Sequence, residues 1–321
     1  MVTTLPKVCI RPLQALRDGA ALAALYESVF DRGKAGTVVS DIHWRAAVQP
    51  PLKSAPVDVA KEITARENYG FVCESAQGHV LGAVTLFSNP HQPSTIILAN
   101  LVTDTRVRRR GVGRCLVEHV VRFARQQGVQ HLALQVDSDN AAAIGLYHAQ
   151  GFEYLGQVHA MCLTRVDSRF EAQGSNPFRE ARGADADELA RLVQINIPAT
   201  LRYADVVPPE RFRPAANSIL KRAPSSSWFV ADGSKGKLKI AIKIDSAGDS
   251  MEPMTHILFD PALDFETGQR LAQMGLTRLL MPHTAEIRIN QSVHALIPMR
   301  IVKALGFQTE RTLLHMRKTL R

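Results

Sequence analysis

Residues 100–114 read NLVTDTRVRRRGVGR, and the rest of the fold follows from this stretch. An apolar run ending at Thr103 has the pattern of a strand, Asp104 to Arg110 make a polar turn, and a helix begins around Gly113. The helix runs to about Gln127 and stops at Gly128, a natural residue for a left-handed C-terminal turn. A turn of this kind aims successive backbone N–H groups at the positive end of a helix, which suits a pyrophosphate. Gly111 and Gly113 permit unusual φ and let phosphate oxygens approach the backbone. Arg106, Arg108, Arg109, Arg110 and Arg114 add charge-assisted contacts. A nucleoside-triphosphate loop would want Gly-Lys-Ser/Thr where the chain has Gly113-Arg114-Cys115, and a dinucleotide turn would need a third glycine at Leu116. The expected ligand therefore carries phosphates and needs no catalytic metal.

Working outward, a short strand at Cys9-Ile10-Arg11 precedes a helix capped by Asp18 and running to Phe30. Residues 31–60 read as loops with a short helix. Strands over Tyr69–Glu74 and Val80–Phe87 flank the hairpin turn Ala76-Gln77-Gly78, and a third covers Thr95–Thr103. Beyond the central helix come a strand at His131–Val136, a helix at Ala141–Gln150 ended by Gly151, and strand from Phe152 to Thr164. Hairpins followed by β–α units indicate an α/β fold with a mixed sheet flanked by helices. Residues 165–177 read as a linker between domains at 1–164 and 178–321. The second domain repeats the first: Phe178-Arg179-Glu180 and its Asp185/Asp187-capped helix, the pair Trp228–Asp232 and Leu238–Ile244, then Gly306-Phe307 and a last strand.

Composition agrees with two ordinary globular domains: 321 residues, 45% hydrophobic, 21% charged. Cys9, Cys73, Cys115 and Cys162 lie far apart without a CxxC pair, which excludes a disulfide scaffold and zinc-type spacing. The histidines show no ligand spacing, so no metal is expected. No apolar run reaches a membrane span and the start lacks a signal-peptide pattern, so a cytoplasmic setting is expected. The net charge of +9 is spread over both halves: residues 1–165 hold 17 basic and 13 acidic residues, the remainder 22 and 17. With no basic tail, the arginine nest fits one polyanionic small ligand better than nucleic acid.

A second block makes the reading specific. Residues 140–152, NAAAIGLYHAQGF, follow the glycine turn by one β–α unit. Together the two blocks resemble the GCN5-related N-acetyltransferases (GNAT), over about residues 8–165. The resemblance implies two tandem acyl-CoA N-acyltransferase folds, the first active, with acetyl-CoA as co-substrate. It implies that Leu101, Val102 and Thr103 pair with the pantetheine amides, and that Arg108, Arg109, Arg110, Gly111, Val112, Gly113 and Arg114 hold the pyrophosphate. Asn140 would bond the pantetheine or the following turn, and Tyr147 would protonate the departing thiolate. An amine would attack the thioester directly. Read without the resemblance, Asn140 is also a helix N-cap and Tyr147 also a buried structural ring.

Where many relatives place a glutamate as general base, this chain has Ala99, with Asn100 beside it. Asp137 and Glu74 are the nearest carboxylates in sequence, and a water chain is the equal alternative. In the second half the equivalents of Asn140 and Tyr147 are Ala295 and Val302, and the turn within 260–269 has one glycine, Gly268, beside Asp260, Asp264 and Glu266. A degenerate second domain is expected, serving as lid, dimer mimic or acceptor wall. The function expected is acetyl transfer to a primary amine on a small molecule or peptide, by a monomer or homodimer that meets no membrane. Alternatives are a non-catalytic acyl-CoA-binding module and an acetyltransferase of a protein or nucleic-acid-associated substrate. The acceptor is not legible; in this fold it is set by about residues 31–65, where Asp31, Asp41, Asp58, Glu62 and Glu67 are interspersed with basic residues, and by the cleft wall, expected here to be shared with the second domain.

Overall fold

The computed structural model describes residues 8–29, 70–89, 92–164, 175–204, 227–244, 255–280, 286–293 and 295–321. The acceptor-setting segment 31–65 and linker residues 165–174 lie outside the described residues. The first half runs β1 (Val8–Pro12), α1 (Ala15–Val29), β2 (Gly70–Ser75), β3 (Val80–Ser88), β4 (Thr95–Thr103), α2 (Val112–Gln126), β5 (His131–Asp137), α3 (Ala141–Ala149) and β6 (Glu153–Leu163). The second half repeats this order: β7 (Phe178–Glu180), α4 (Ala186–Asn196), β8 (Ser227–Asp232), β9 (Leu238–Ile244), β10 (His256–Phe259), α5 (Phe265–Gly275), β11 (Ile287–Ser292), α6 (Leu296–Ala304) and β12 (Gln308–Thr319). The final segment of the first half is one long strand.

The repeat extends to side chains. Arg11 on β1 holds Asp18 on α1 through two hydrogen bonds of 2.7 and 2.8 Å and also pairs with Glu74 on β2. Arg179 on β7 holds Asp185, at the start of α4, and Asp232 on β8 in the same way. In each half one guanidinium ties the first strand, first helix and second strand together, which is what a bidentate fork geometry is suited to do. Helix α1 starts three residues before Asp18, which is buried and reaches back to the Gln14 N–H at 2.8 Å. It stabilises the first turn from inside the helix and is not its cap.

The halves share a sheet. Its order is β1-β2-β3-β4-β5-β12-β6-β11, and a second sheet runs β10-β9-β8-β7. The last strand of each half therefore lies beside the fifth strand of the other: β12 pairs with β5, and β11 with β6. Between them β6 and β12 run antiparallel. The spacing that carries Phe152 onto Phe307 also carries Val158 onto Leu313, and these two residues are paired across the strands. The tandem chain thus has a pseudo-twofold axis at Val158–Leu313, the geometry of an isologous dimer interface built within one chain.

Helix α2 covers one face of the shared sheet because Val112, Leu116, Val117, Val120, Val121 and Ala124 fall on one side of it and are buried. They pack on Leu132, Leu134, Val136 and Met316 in a core that includes Tyr147 and Phe152. Close packing needs Gly82 on β3. A Cβ there would stand 2.8 Å from the Val102 carbonyl oxygen, 3.0 Å from Val112 Cγ1 and 3.2 Å from Leu116 Cδ1. The opposite face carries α1, with Leu22, Leu25 and Tyr26 against Val72, Ala83 and Val102. On that face too lies a 3-10 turn of the second half, Leu201–Ala204. His315 Nδ1 lies 3.1 Å from the Leu201 carbonyl, and the Tyr203 ring touches His131 and the Arg317 guanidinium.

Candidate active site

Strands β4 and β5 are parallel but pair only at Thr95–His131, Ile96–Leu132 and Ile97–Ala133. Past that rung they separate, leaving a fork in which, among the described residues, one edge of β4 has no partner strand through Leu101, Val102 and Thr103. A bulge distorts β4 at the opening: the register with β3 shifts between Ala83–Val102 and Thr85–Ala99, and Asn100 takes φ 51°. Bulges of this sort re-aim backbone groups beside a site. The distortion is held by Thr85, whose hydroxyl donates to the Ala99 carbonyl at 3.1 Å and accepts from Asn100 Nδ2 at 3.0 Å. From α1 the Tyr26 hydroxyl donates to the Asn100 carbonyl at 3.4 Å.

The unpaired edge leads directly into the glycine turn. Asp104 accepts from the Arg106 N–H and pairs with its guanidinium at 2.6 Å, closing a short 3-10 turn. This contact holds the Asp104 carboxyl below its ordinary range and removes Arg106 from the free cluster. Arg109 (φ 59°) and Gly111 (φ 87°) are left-handed, and Gly111 is the N-cap of α2 without a side-chain cap. Among the described residues, the N–H groups of Arg109 and of Gly111, Val112, Gly113 and Arg114 find no backbone acceptor, while those of Arg108 and Arg110 turn back to Thr105 and Val107. Open amides at a helix start make a concavity of the kind that suits an anion. Val112 is buried beneath it, and Arg108, Arg109, Arg110 and Arg114 stand exposed around it. Gly113 lacks a left-handed φ. Its service is space, since a Cβ there would meet Leu146 Cδ2 at 3.4 Å and Thr103 Cγ2 at 3.6 Å, where β4, α2 and α3 converge.

Asn140 caps α3: its side chain accepts from the Ala143 N–H at 3.1 Å. Tyr147, seven residues on, is buried edge-to-face against Phe152 at 5.6 Å. Burial pushes its phenol well above the ordinary value, so it stays protonated. Its hydroxyl makes no hydrogen bond among the described residues. Neither carboxylate expected near the site is free to act as a base. Glu74 is clamped by Arg11 and Arg17, and Asp137 is held two-pronged by Arg311 of β12 at 2.6 and 2.9 Å. Position 99 offers only a methyl group.

The equivalent place in the second half differs at each point. Strand β10 pairs with β9 in regular register without a bulge. Asp260 donates its N–H to the Lys239 carbonyl as Asp104 does to Leu81, but α5 is capped only four residues later by Asp264, which accepts from Thr267 at 2.8 Å. A carboxylate thus occupies the anion position. Gly268 lies inside α5, where a Cβ would stand 2.6 Å from Ile301 Cδ1, so it serves helix packing. Ala295 caps α6 without a side-chain bond, and Val302 is buried.

Several of these features have no signature in local sequence. Gly82, the bulge at Asn100 and the Thr85 bridge depend on which strand lies alongside. The only hint was small and polar residues in otherwise apolar strands.

Comparison with known proteins agrees with this geometry. Residues 38–152 match the model of the acetyltransferase (GNAT) family. The chain is 29% identical over 126 residues to N-acetyltransferase 8B of Rattus norvegicus, covering 38% of this chain and 57% of that protein. It is 44% identical over 55 residues to the ribosomal protein bS18-alanine N-acetyltransferase of Escherichia coli K12, covering 17% of this chain and 37% of that one. The chain thus spans little more than half the length of the first relative and little more than a third of the second. A tandem GNAT protein from the clavulanic acid biosynthesis pathway superposes with a TM-score of 0.59 at 15% identity, over 98% of this chain and 99% of that one. That likeness shows the fold: two GNAT units in one chain.

Proposed function

We propose that this chain, which carries a GNAT-family acetyltransferase domain, transfers an acetyl group from acetyl-CoA to a primary amine. The observation that carries the reading is the continuity of the fork with the nest: an unpaired strand edge leads straight into open amides at a helix start. Leu101, Val102 and Thr103 offer that edge to the pantetheine amides, as to an added strand. The amides of residues 109 to 114 take the pyrophosphate, and Arg108, Arg109, Arg110 and Arg114 neutralise it. Because α2 and α3 lie on one face of the sheet, the thioester enters from that face and presents its carbonyl carbon to the other. The bulge at Asn100 aims a backbone N–H where the oxyanion develops.

Tyr147 donates a hydrogen bond to the departing thiolate. A thiol ordinarily titrates near ~8.5 and this phenol well above its own usual value, so full proton transfer from Tyr147 is uphill. Its contribution is charge stabilisation, and solvent completes the protonation. With Glu74 and Asp137 both held by arginines, the amine loses its proton to water.

In this reading the first half is the acetyl-CoA site and the second half, with Asp264 in the anion position, carries none. The Escherichia coli relative is named for an alanine of ribosomal protein bS18; since an alanine offers an amine only where its α-amino group is free, a peptide with an alanine at its N-terminus is the first substrate to try. The test is acetyl-CoA-dependent thiol release with a panel holding that peptide and small primary amines. Acceptor-dependent release supports the reading. Tight acetyl-CoA binding without turnover on any amine would favour a non-catalytic acyl-CoA module instead.

A further inference from the structure

The fork opens between β4 and β5, and the second half backs the β5 side of it with β12. Along β5, residues His131, Ala133, Gln135 and Asp137 share a face, because His131 touches Tyr203 on the α1 side while Leu132, Leu134 and Val136 enter the α2 core. Strand β12 lies directly against β5, with Leu313 opposite Asp137, His315 opposite Gln135 and Arg317 opposite Ala133. Arg311, Leu313, His315 and Arg317 therefore share that same face. Contacts fix this side independently: Arg311 with Asp137, His315 with the Leu201 carbonyl and Arg317 with the Tyr203 ring. Above the Ile97–Ala133 rung β5 has lost β4 on one edge but keeps β12 on the other, so β12 stands one strand behind the opening, with only β5 between.

We infer that the acceptor side of the first half's fork is built by the second half, with Leu313 and Arg311 of β12 lining the path by which the amine reaches the acyl carbon. The inference rests on the acetyl-CoA site proposed above. A thioester entering between α2 and α3 shows its carbonyl to the α1 face. That face at the mouth of the fork holds Leu313 as an apolar wall and Arg311 locked on Asp137 as its polar rim. Arg311 is a positioning residue: its two-pronged grip fixes the Asp137 carboxylate in one orientation beside the opening. The strand exchange then gives the second half a reason to persist without a ligand site of its own, since deleting β12 would strip the wall from β5.

The probe is bromoacetyl-CoA, whose α-carbon is attacked by a thiolate within reach; a thioether forms, bromide leaves, and the thiol proton passes to solvent. It is applied to the full chain carrying Leu313→Cys, with Gln135→Cys as the first-half reference and peptide mapping to separate Cys9, Cys73, Cys115 and Cys162. Saturable alkylation at position 313, blocked by excess acetyl-CoA, is expected. Alkylation at position 135 with none at 313, in a Leu313→Cys protein that binds acetyl-CoA as tightly as the parent, would overturn the inference and leave the acetyl-CoA site standing. Failure of the parent chain to bind either thioester would overturn the acetyl-CoA site and this inference with it.

Discussion

Gly82 links the core to the candidate site, lying against both β4 and the start of α2. A methyl group at this position would stand 2.8 Å from the Val102 carbonyl oxygen, where an ordinary contact is wider by roughly half an ångström. It would also press on Val112 Cγ1 at 3.0 Å and Leu116 Cδ1 at 3.2 Å. The two side chains can yield by small rotations, but the carbonyl belongs to β4 and can retreat only if the strand moves. Overpacking of one methyl costs about 1–3 kcal/mol. At about 2–4 °C per kcal/mol for domains of this size, Gly82→Ala should lower the melting temperature by about 2–12 °C. The strain has a direction: it pushes β4 at Val102 away from the start of α2 at Val112, the two elements that would hold pantetheine and pyrophosphate. Acetyl-CoA affinity should therefore fall as well, by about 10-fold if ~1.4 kcal/mol of the strain must be relieved in the complex. Scanning calorimetry and titration of the same preparation measure both. A Gly82→Ala protein with unchanged melting temperature and unchanged affinity would refute the packing of α2 on β3 and β4.

Three further outcomes follow from the same geometry. Gly111→Val places a β-branched residue at φ 87°, a strain of at least ~1–2 kcal/mol, and should weaken acetyl-CoA binding by 10-fold or more; tight binding by the variant would count against the nest. Tyr147→Phe should reduce turnover about 10–100-fold, the worth of a hydrogen bond to a charged group, with acetyl-CoA affinity unchanged; equal turnover would remove Tyr147 from the mechanism. Asp185 is held below the ordinary carboxylate range by its hydrogen bonds from Arg179, and Asp18 is lowered too, the Arg11 and Gln14 contacts outweighing its burial. Carboxylates lowered in the folded state add stability above their unfolded pKa of about 3.9 and lose it as pH falls through the folded value. Denaturant melts should show stability dropping below about pH 4, and Arg11→Gln should flatten that drop; an identical acid profile in the variant would contradict the ion-pair account.

Much of the first half is written locally. Thr95–Thr103 is a strand-sized apolar run and forms a strand; Gly128 and Gly151, both left-handed, end helices where turn chemistry places them. The repeat was visible for the same reason, since Arg11 and Arg179 each precede an acid at the start of a helix. The exchange of β6 and β12 was not, because the repeat marks a last strand after Gly306-Phe307, around Thr312–Met316, without naming its neighbour. Partner choice also explains why Asp137 looked available as a base: its arginine lies on β12, in the other half of the chain. Arg106 is the reverse case, a cation in the right cluster that its own neighbour Asp104 claims. Asp18 misled as a cap because its partner, the Gln14 N–H, lies four residues before it.

The central claim is one acetyl-CoA site, in the first half, facing a second half whose anion position is filled by its own Asp264. Calorimetric titration of acetyl-CoA into the full chain tests it most directly. The account predicts one site per chain, lost in Gly111→Val. Two sites per chain, or one that persists undiminished in Gly111→Val, would contradict it.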